Sequence, residues 1–242
     1  MKTYKHLMEE LLSEENIVTA IKKLESEKHK KKVKKLKRRL KSNPEETVDE
    51  IRDIVLNYEQ NAHTVVKIVD GVSNKNREII IPKFNDLIVQ NCLMGVLRPI
   101  IMKSMYEKVY GSLPGRGIHA GKAAIEKWIR NDPANCKYFA KMDIKKFFPS
   151  IPLDRLHALV SKYIRDKQFV DLLFKATTSE GVDGVPLGFY PSPWLANYYL
   201  QKMDHYIKEE LAVPHYIRYM DDMVIFGPNK KKLKAAVEAI IE

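Results

Sequence analysis

The stretch Tyr219-Met220-Asp221-Asp222 constrains this chain more than any other, because it is bracketed by His215-Tyr216-Ile217-Arg218 and Met223-Val224-Ile225-Phe226. Two apolar, β-prone runs joined by so short an acidic link predict a hairpin carrying two carboxylates at its tip. Neighbouring strand residues point to opposite faces, so only a tight turn brings both aspartates near one place. Crowded like charges are unfavourable, and a divalent cation between the oxygens relieves them. Mg²⁺ in particular is held by one or two carboxylates together with substrate phosphates. The pair therefore points to phosphate chemistry, although a solvated turn accounts for it too, since Asp is a favoured turn residue.

The charge is distributed as unevenly as the acids are concentrated. Of a formal +11, ten Lys and Arg fall between Lys28 and Lys41 with no acid among them, so the rest of the chain is close to neutral. Val33, Leu36 and Leu40 recur there at spacings of three and four, which predicts a helix with a narrow apolar stripe for docking and a cationic coat of Lys30, Lys31, Lys34, Lys35, Arg38 and Arg39. Such a coat suits a polyanion, whose displaced counterions drive binding. A merely solvated helix face is the alternative. The 242 residues, 45% of them hydrophobic, allow one large or two modest cores. Cys92 and Cys136 have neither a metal-site spacing nor the density of a disulfide framework, the best apolar run (92–102) is cut by Arg98, and the start of the chain lacks a secretory layout. A cytoplasmic protein without membrane contact is the expectation.

Upstream, the apolar spacing predicts a helix over 4–26 that breaks near Ser13 and restarts, then the basic helix ended by Ser42-Asn43-Pro44, then a helix over 47–58. The β-branched runs 64–70 and 77–82 predict a hairpin. At its return edge Lys75 and Arg77 are placed to grip a triphosphate, Arg as a bidentate fork and Lys as a point charge, or else are surface charges on a polar turn. A long apolar helix follows over 84–105, a glycine-rich loop over 110–117 and a helix over 119–130. Tyr138 to Ile144 reads as a strand holding Asp143 near its end, 145–151 as a bend, and 153–163 as a helix. An aspartate there is costly if buried alone, and a metal shared with Asp221 and Asp222 would partner it. Gly184-Val185-Pro186-Leu187-Gly188 is a loop whose glycines allow close backbone approach to a ligand, and Ser192-Pro193 reads as the cap and first turn of the next helix.

Three blocks in order, Lys141 to Pro149, Gly184 to Gly188 with Ser192 to Asn197, and Arg218 to Asp222, resemble motifs A, B and C of reverse transcriptases. Arg77 to Pro82 is similar to the fingers block of that family. Tyr110 to His119 is similar to a loop of bacterial group II intron-type and diversity-generating-retroelement enzymes, Ser192-Pro193 favouring the intron-like pattern. The likeness covers roughly residues 45–242. It implies an α+β right-hand polymerase fold of fingers and palm, with an antiparallel palm sheet backed by helices: a basic helical extension over 1–44, fingers over 45–135 with a return around 165–185, and palm over 136–242. It also implies that Asp143, Asp221 and Asp222 hold two Mg²⁺ ions, with Mn²⁺ as the alternative metal, helped by the backbone carbonyl of Ile144. Arg77 and Lys75 match the residues that grip the incoming dNTP, and Gly188 lines the nascent base pair. Phe148 matches the gate that excludes a 2′-hydroxyl, although Phe147 beside it leaves a core role open for either ring. Leu187 stands where many relatives carry Gln. The expected partners are an RNA template, a DNA or RNA primer and dNTPs.

The family's next palm strand, primer grip and helical thumb find no match before Glu242, so the expectation is a thumb-less fragment with weak or no polymerisation by itself. An RNA-binding module of maturase or scaffold type, served by the basic helix without catalysis, is the reading from another class. Three retained carboxylates argue against it, since gripping a polyanion has no use for them. An RNA polymerase on the same palm is disfavoured by Phe148.

Overall fold

The computed structural model describes residues 3–60, 63–69 and 76–241. In chain order they form α1 (Leu7–Leu11), α2 (Glu14–Lys23), α3 (Lys30–Ser42), α4 (Pro44–Leu56), β1 (Thr64–Val69), β2 (Asn76–Ile81), α5 (Phe84–Met102), α6 (Ile118–Asn131), β3 (Tyr138–Met142), α7 (Phe147–Ser150), α8 (Leu153–Tyr163), α9 (Lys167–Thr177), α10 (Ser192–His205) with a wide π turn at Tyr206–Glu210, β4 (His215–Tyr219), β5 (Asp222–Gly227) and α11 (Lys230–Ile241). The chain divides into two units, one of residues 1–100 and 148–192, the other of 101–147 and 193–242. The fold is α+β, and among the described residues no helix is long and apolar enough to cross a membrane.

In the first unit the amino-terminal helices follow their local signals. The Ser13 hydroxyl accepts from the Asn16 amide at 3.2 Å and restarts the helix as α2, whose Ile17, Ala20 and Ile21 are buried. The basic helix α3 buries Val33, Leu36 and Leu40 and leaves its cations outside, and α4 begins on Pro44, earlier than the spacing predicts, because proline suits a first turn. The buried Gln90 of α5 donates to the Ala176 carbonyl and accepts from the Tyr190 amide, tying α9 and the segment before α10 to one helix. Helix α9 itself is absent from the sequence reading. Asp166 caps it through the Phe169 amide and also accepts from the Met8 amide at 2.9 Å, so one carboxylate anchors two helix starts.

The hairpin β1–β2 pairs Thr64 with Ile81 through Val69 with Asn76, and β1 is exposed along nearly its whole length. Its link, including Lys75, lies outside the described residues. The Ile80 amide donates to the Leu187 carbonyl at 2.8 Å, and Gly188 sits so close that a Cβ there would come within 2.0 Å of the Ile80 oxygen, with φ at +108°. The close approach anticipated for this loop is thus made to the backbone of β2.

In the second unit an antiparallel sheet runs in the order β3-β5-β4. Strand alternation puts Ala140, Met142, Tyr216, Met223 and Ile225 on one face, where Ile207, Val213 and Leu233 join them in a buried core beneath α10 and α11. The opposite face carries His215, Ile217 and Tyr219 on β4, Asp222, Val224 and Phe226 on β5, and Phe139 and Lys141 on β3. Trp128 of α6 stacks on His215 with ring centres 4.8 Å apart and meets Phe226 edge-on, covering the end of that face remote from the acids. β3 stops at Met142, two residues short of the sequence expectation, and 147–150 is a helical turn where a bend was expected. Lys146 has φ 51°, and that reversal, impossible within a strand, carries the chain away from the sheet. Ser192 lies inside the first turn of α10, and its hydroxyl donates to the Pro186 carbonyl in place of a cap.

Candidate active site

Register gathers the acids. The last pair of β3 with β5 is Met142 with Met223, and one further step sets Asp143 opposite Asp222, whose other neighbour is Tyr219 of β4. Met220 and Asp221 form the two-residue turn. Met220 has φ 56° while Asp221 stays in the negative range, so the chain reverses at Met220. Glycine is the usual occupant of that position, and a side chain there costs roughly 1–2 kcal/mol.

A buried network holds the strained turn in place. Arg218, fully enclosed, donates from Nε and Nη2 to the two oxygens of Asp204 on α10 at 2.7 and 2.6 Å. Its Nη1 donates to Asn197 Oδ1 at 2.8 Å and to the Met220 carbonyl at 2.9 Å, and Nη2 reaches the Asn197 carbonyl at 3.4 Å. All five guanidinium hydrogens therefore have acceptors, one of them in the acidic turn. Tyr216 donates to Asp204 at 2.6 Å, and burial followed by the Asp204 charge raises its pKa far enough to keep it a donor. Burial works against the Arg218 charge, but the hydrogen bonds and charge of Asp204 outweigh it and hold the guanidinium above its ordinary pKa.

A second brace lies along β4. The Tyr110 amide donates to the Arg218 carbonyl and the Arg218 amide to that of Lys108, so 108–110 runs beside the strand. Gly111 follows, its carbonyl accepting from Asn197 Nδ2, and a Cβ there would stand 2.6 Å from the Met220 nitrogen. Arg116 fastens this loop by donating to the carbonyls of Tyr106 and Val109. The glycine-rich loop thus supports the turn from outside.

The acids are near one another yet not closed into a cage. Among the described residues no three His, Cys, Asp or Glu side chains are grouped so as to hold a metal ion. Instead Lys141 Nζ sits 2.9 Å from Asp222 Oδ1. The hydrogen bond from Asp222, that carboxylate's charge and, more weakly, the charge of Asp143 hold the Lys141 ammonium above its ordinary pKa. A cation thus already sits against Asp222. The available donors are hard carboxylate oxygens, whose chemistry suits a hard divalent cation. Ile144, just past Asp143, is half-buried against the Met223 and Ile225 core.

Arg77, Phe148, Gly188 and the cations of α3 belong to the first unit. Arg77 is exposed on β2 opposite Ile68. Of the two adjacent rings, Phe147 is the core residue at 4% exposure, while Phe148 is half-buried and its carbonyl accepts from the Val185 amide. Along α3, Lys30 pairs with Glu27, and Arg39 with Glu50 at 2.6 Å, whereas Lys31, Lys34, Lys35 and Arg38 are exposed and form no ion pair among the described residues. Sequence reasoning missed Arg218, Asp204, Asn197 and Gly111 as supports of the turn. The available signal was Asn197 and Asp204, seven residues and two helical turns apart and so on one face of α10.

Comparison with known proteins identifies the family. The sequence profile described as "Reverse transcriptase (RNA-dependent DNA polymerase)" matches residues 67–242. A Schizosaccharomyces pombe protein described as an "Uncharacterized 91 kDa protein in cob intron" is 32% identical over 150 residues, covering 58% of this chain and 18% of that protein. The "Group II intron-encoded protein LtrA" of Lactococcus lactis is 26% identical over 191 residues, covering 69% of this chain and 30% of LtrA. The chain therefore spans less than a third of the length of these relatives. Among solved structures, an apo telomerase from Candida tropicalis, truncated from its C-terminal domain, superposes with a TM-score of 0.51 at 13% identity, over 74% of this chain and 46% of the other, a likeness of fold alone. With well over half of its residues inside the family profile, and the three motif blocks in order within that span, this chain belongs to the reverse transcriptase family.

Proposed function

We propose that this chain is the fingers-and-palm portion of an RNA-directed DNA polymerase of the group II intron-like kind, extending a DNA or RNA primer on an RNA template with dNTPs. In this reading residues 1–44 are a basic extension, 45–135 with a return around 165–185 the fingers, and 136–242 the palm. What supports it is the register of β3 against β5, whose last pair, Met142 with Met223, leaves Asp143 and Asp222 as the next residue on each side, beside a turn containing Asp221. Asp143, Asp221, Asp222 and the Ile144 carbonyl would hold two divalent ions, Mg²⁺ in the first place and Mn²⁺ as substitute. When bound, such ions acidify the primer 3′-hydroxyl and offset the charge of the departing pyrophosphate. The chain's own part is to keep these carboxylates at one end of a rigid sheet, with the turn fixed from behind by Arg218, so that little reorganisation is needed. Arg77 and Lys75 would hold the triphosphate, Phe148 would close the space under the sugar against a 2′-hydroxyl, and Gly188 would lie beside the nascent base pair. Extension of a labelled DNA primer on RNA with dNTPs and Mg²⁺ tests this, best in a form carrying the additional length its relatives have. Asp221→Asn is expected to abolish extension, and normal extension by that variant would exclude the site.

The exposed cations Lys31, Lys34, Lys35 and Arg38 of α3, without ion pairs among the described residues, support RNA binding that does not depend on the acids. Neutralising Lys31, Lys34, Lys35 and Arg38 is expected to weaken RNA binding and lower its salt slope by about 1 for each lost phosphate contact. RNA affinity and salt slope unchanged by the four substitutions would remove α3 from the interface.

A further inference from the structure

We propose that Lys141 is the resident counter-ion of the acid site: in the ion-free protein its ammonium pairs with Asp222, and a divalent ion enters by displacing it. The inference rests on the reading of Asp143, Asp221 and Asp222 as metal ligands and adds a residue that controls their loading.

The argument starts from strand geometry. Lys141 and Asp143 are two residues apart and so project from the same side, and Lys141 lies diagonally across from Asp222, since its own partner in register is Val224. That diagonal is within reach of a lysine, and the ammonium closes on Asp222 Oδ1 at 2.9 Å. The turn has little freedom to relieve carboxylate repulsion by moving, because Met220 is held by Arg218 from behind and by Gly111 alongside. A mobile cation is one way to balance the charge at Asp222. Lysine suits the task better than arginine would: it is a compact point charge on a flexible stem, without the planar fork that fixes a carboxylate in a bidentate pair. Lys141 is also 63% exposed, so its side chain can leave without disturbing the core. Displacement makes loading conditional. An ion meeting the protein alone must compete with the lysine, whereas an ion arriving on a triphosphate brings further oxygens and wins more easily.

Mn²⁺ binding to the full chain without nucleic acid, followed by loss of the free-ion electron paramagnetic resonance signal, tests this independently of catalysis. Lys141→Met is expected to tighten binding by about two- to fivefold, the range set by an exposed ion pair. Lys145→Met, which removes an equally exposed cation two residues beyond Asp143, is expected to change it much less. Unchanged or weaker binding in Lys141→Met would overturn the proposal, as would an equal gain in both variants, which would reduce the effect to net charge. Asp222→Asn separates the underlying reading from the inference. Lost Mn²⁺ binding in that variant with no gain in Lys141→Met would defeat only the counter-ion role, whereas Mn²⁺ binding that survives Asp222→Asn would defeat the metal-ligand reading itself.

Discussion

Replacing Arg218 by Met removes the guanidinium and leaves Asp204 as an enclosed carboxylate whose remaining side-chain donor is Tyr216. Breaking a fully buried pair from one side typically costs about 3–5 kcal/mol, because the surviving charge has neither water nor partner. Asn197 Oδ1 and the Met220 carbonyl lose donors in the same step, so the upper part of that range applies. Against a domain stability of about 5–15 kcal/mol this is a large fraction. Both tryptophans, Trp128 and Trp194, lie in the unit that holds the network, so intrinsic fluorescence during urea unfolding reports that unit directly. With a urea slope of about 2 kcal/mol/M the midpoint falls by roughly 2 M. Asp204→Leu should cost a similar amount, and the double variant should be no worse than either single one, since no orphan charge remains. Should Arg218→Met fail to fold, Tyr216→Phe, which removes one hydrogen bond to Asp204, provides a milder step of about 1–2 kcal/mol. Single variants costing under about 1 kcal/mol, or a double equal to the sum of the singles, would refute the claim that this pair supports the turn.

Gly188→Ala should destabilise the first unit by at least about 2 kcal/mol, from a Cβ driven against the Ile80 carbonyl and a φ that side chains rarely adopt. The readout is amide exchange at Ile80, whose hydrogen bond to Leu187 should lose protection. His205 Nδ1 donates to Glu209 at 2.6 Å, and that hydrogen bond, opposed in part by burial, raises its pKa above the usual 6.5. A raised folded pKa means that the pair's stabilisation is fully present below the unfolded value and disappears as pH climbs through the folded one. Glu209→Gln should therefore lower the thermal midpoint more at pH 5.5 than at pH 8.5, and an equal loss at both would show that the pair does not titrate as described.

The parts of this protein that were legible from its residues are those specified within a few positions of themselves. Alternation around the acidic link gave the hairpin, Ser13 marked the break between α1 and α2, and the Val33, Leu36 and Leu40 stripe gave the buried side of α3. What holds the site together has no such local mark. Arg218 looks like a surface charge beside a turn until α10, with Asp204 fourteen residues earlier, is laid across the sheet. Gly188 likewise carries no local sign that a Cβ there would meet the Ile80 carbonyl of β2, far away along the chain. Asp143 makes the same point most sharply, because its position follows from the pairing of β3 with β5. Side chains in strands alternate, so slipping β3 by one residue against β5 would put Asp143 on the face buried beneath α10 and α11 and send Met142 out toward Asp222. The core residues Ala140 and Met142, packed against Met223 and Ile225, oppose that slip. The apolar face of the sheet therefore sets the geometry of the acidic one, and changes to Ala140 or Met142 should reach the acids through register without touching them.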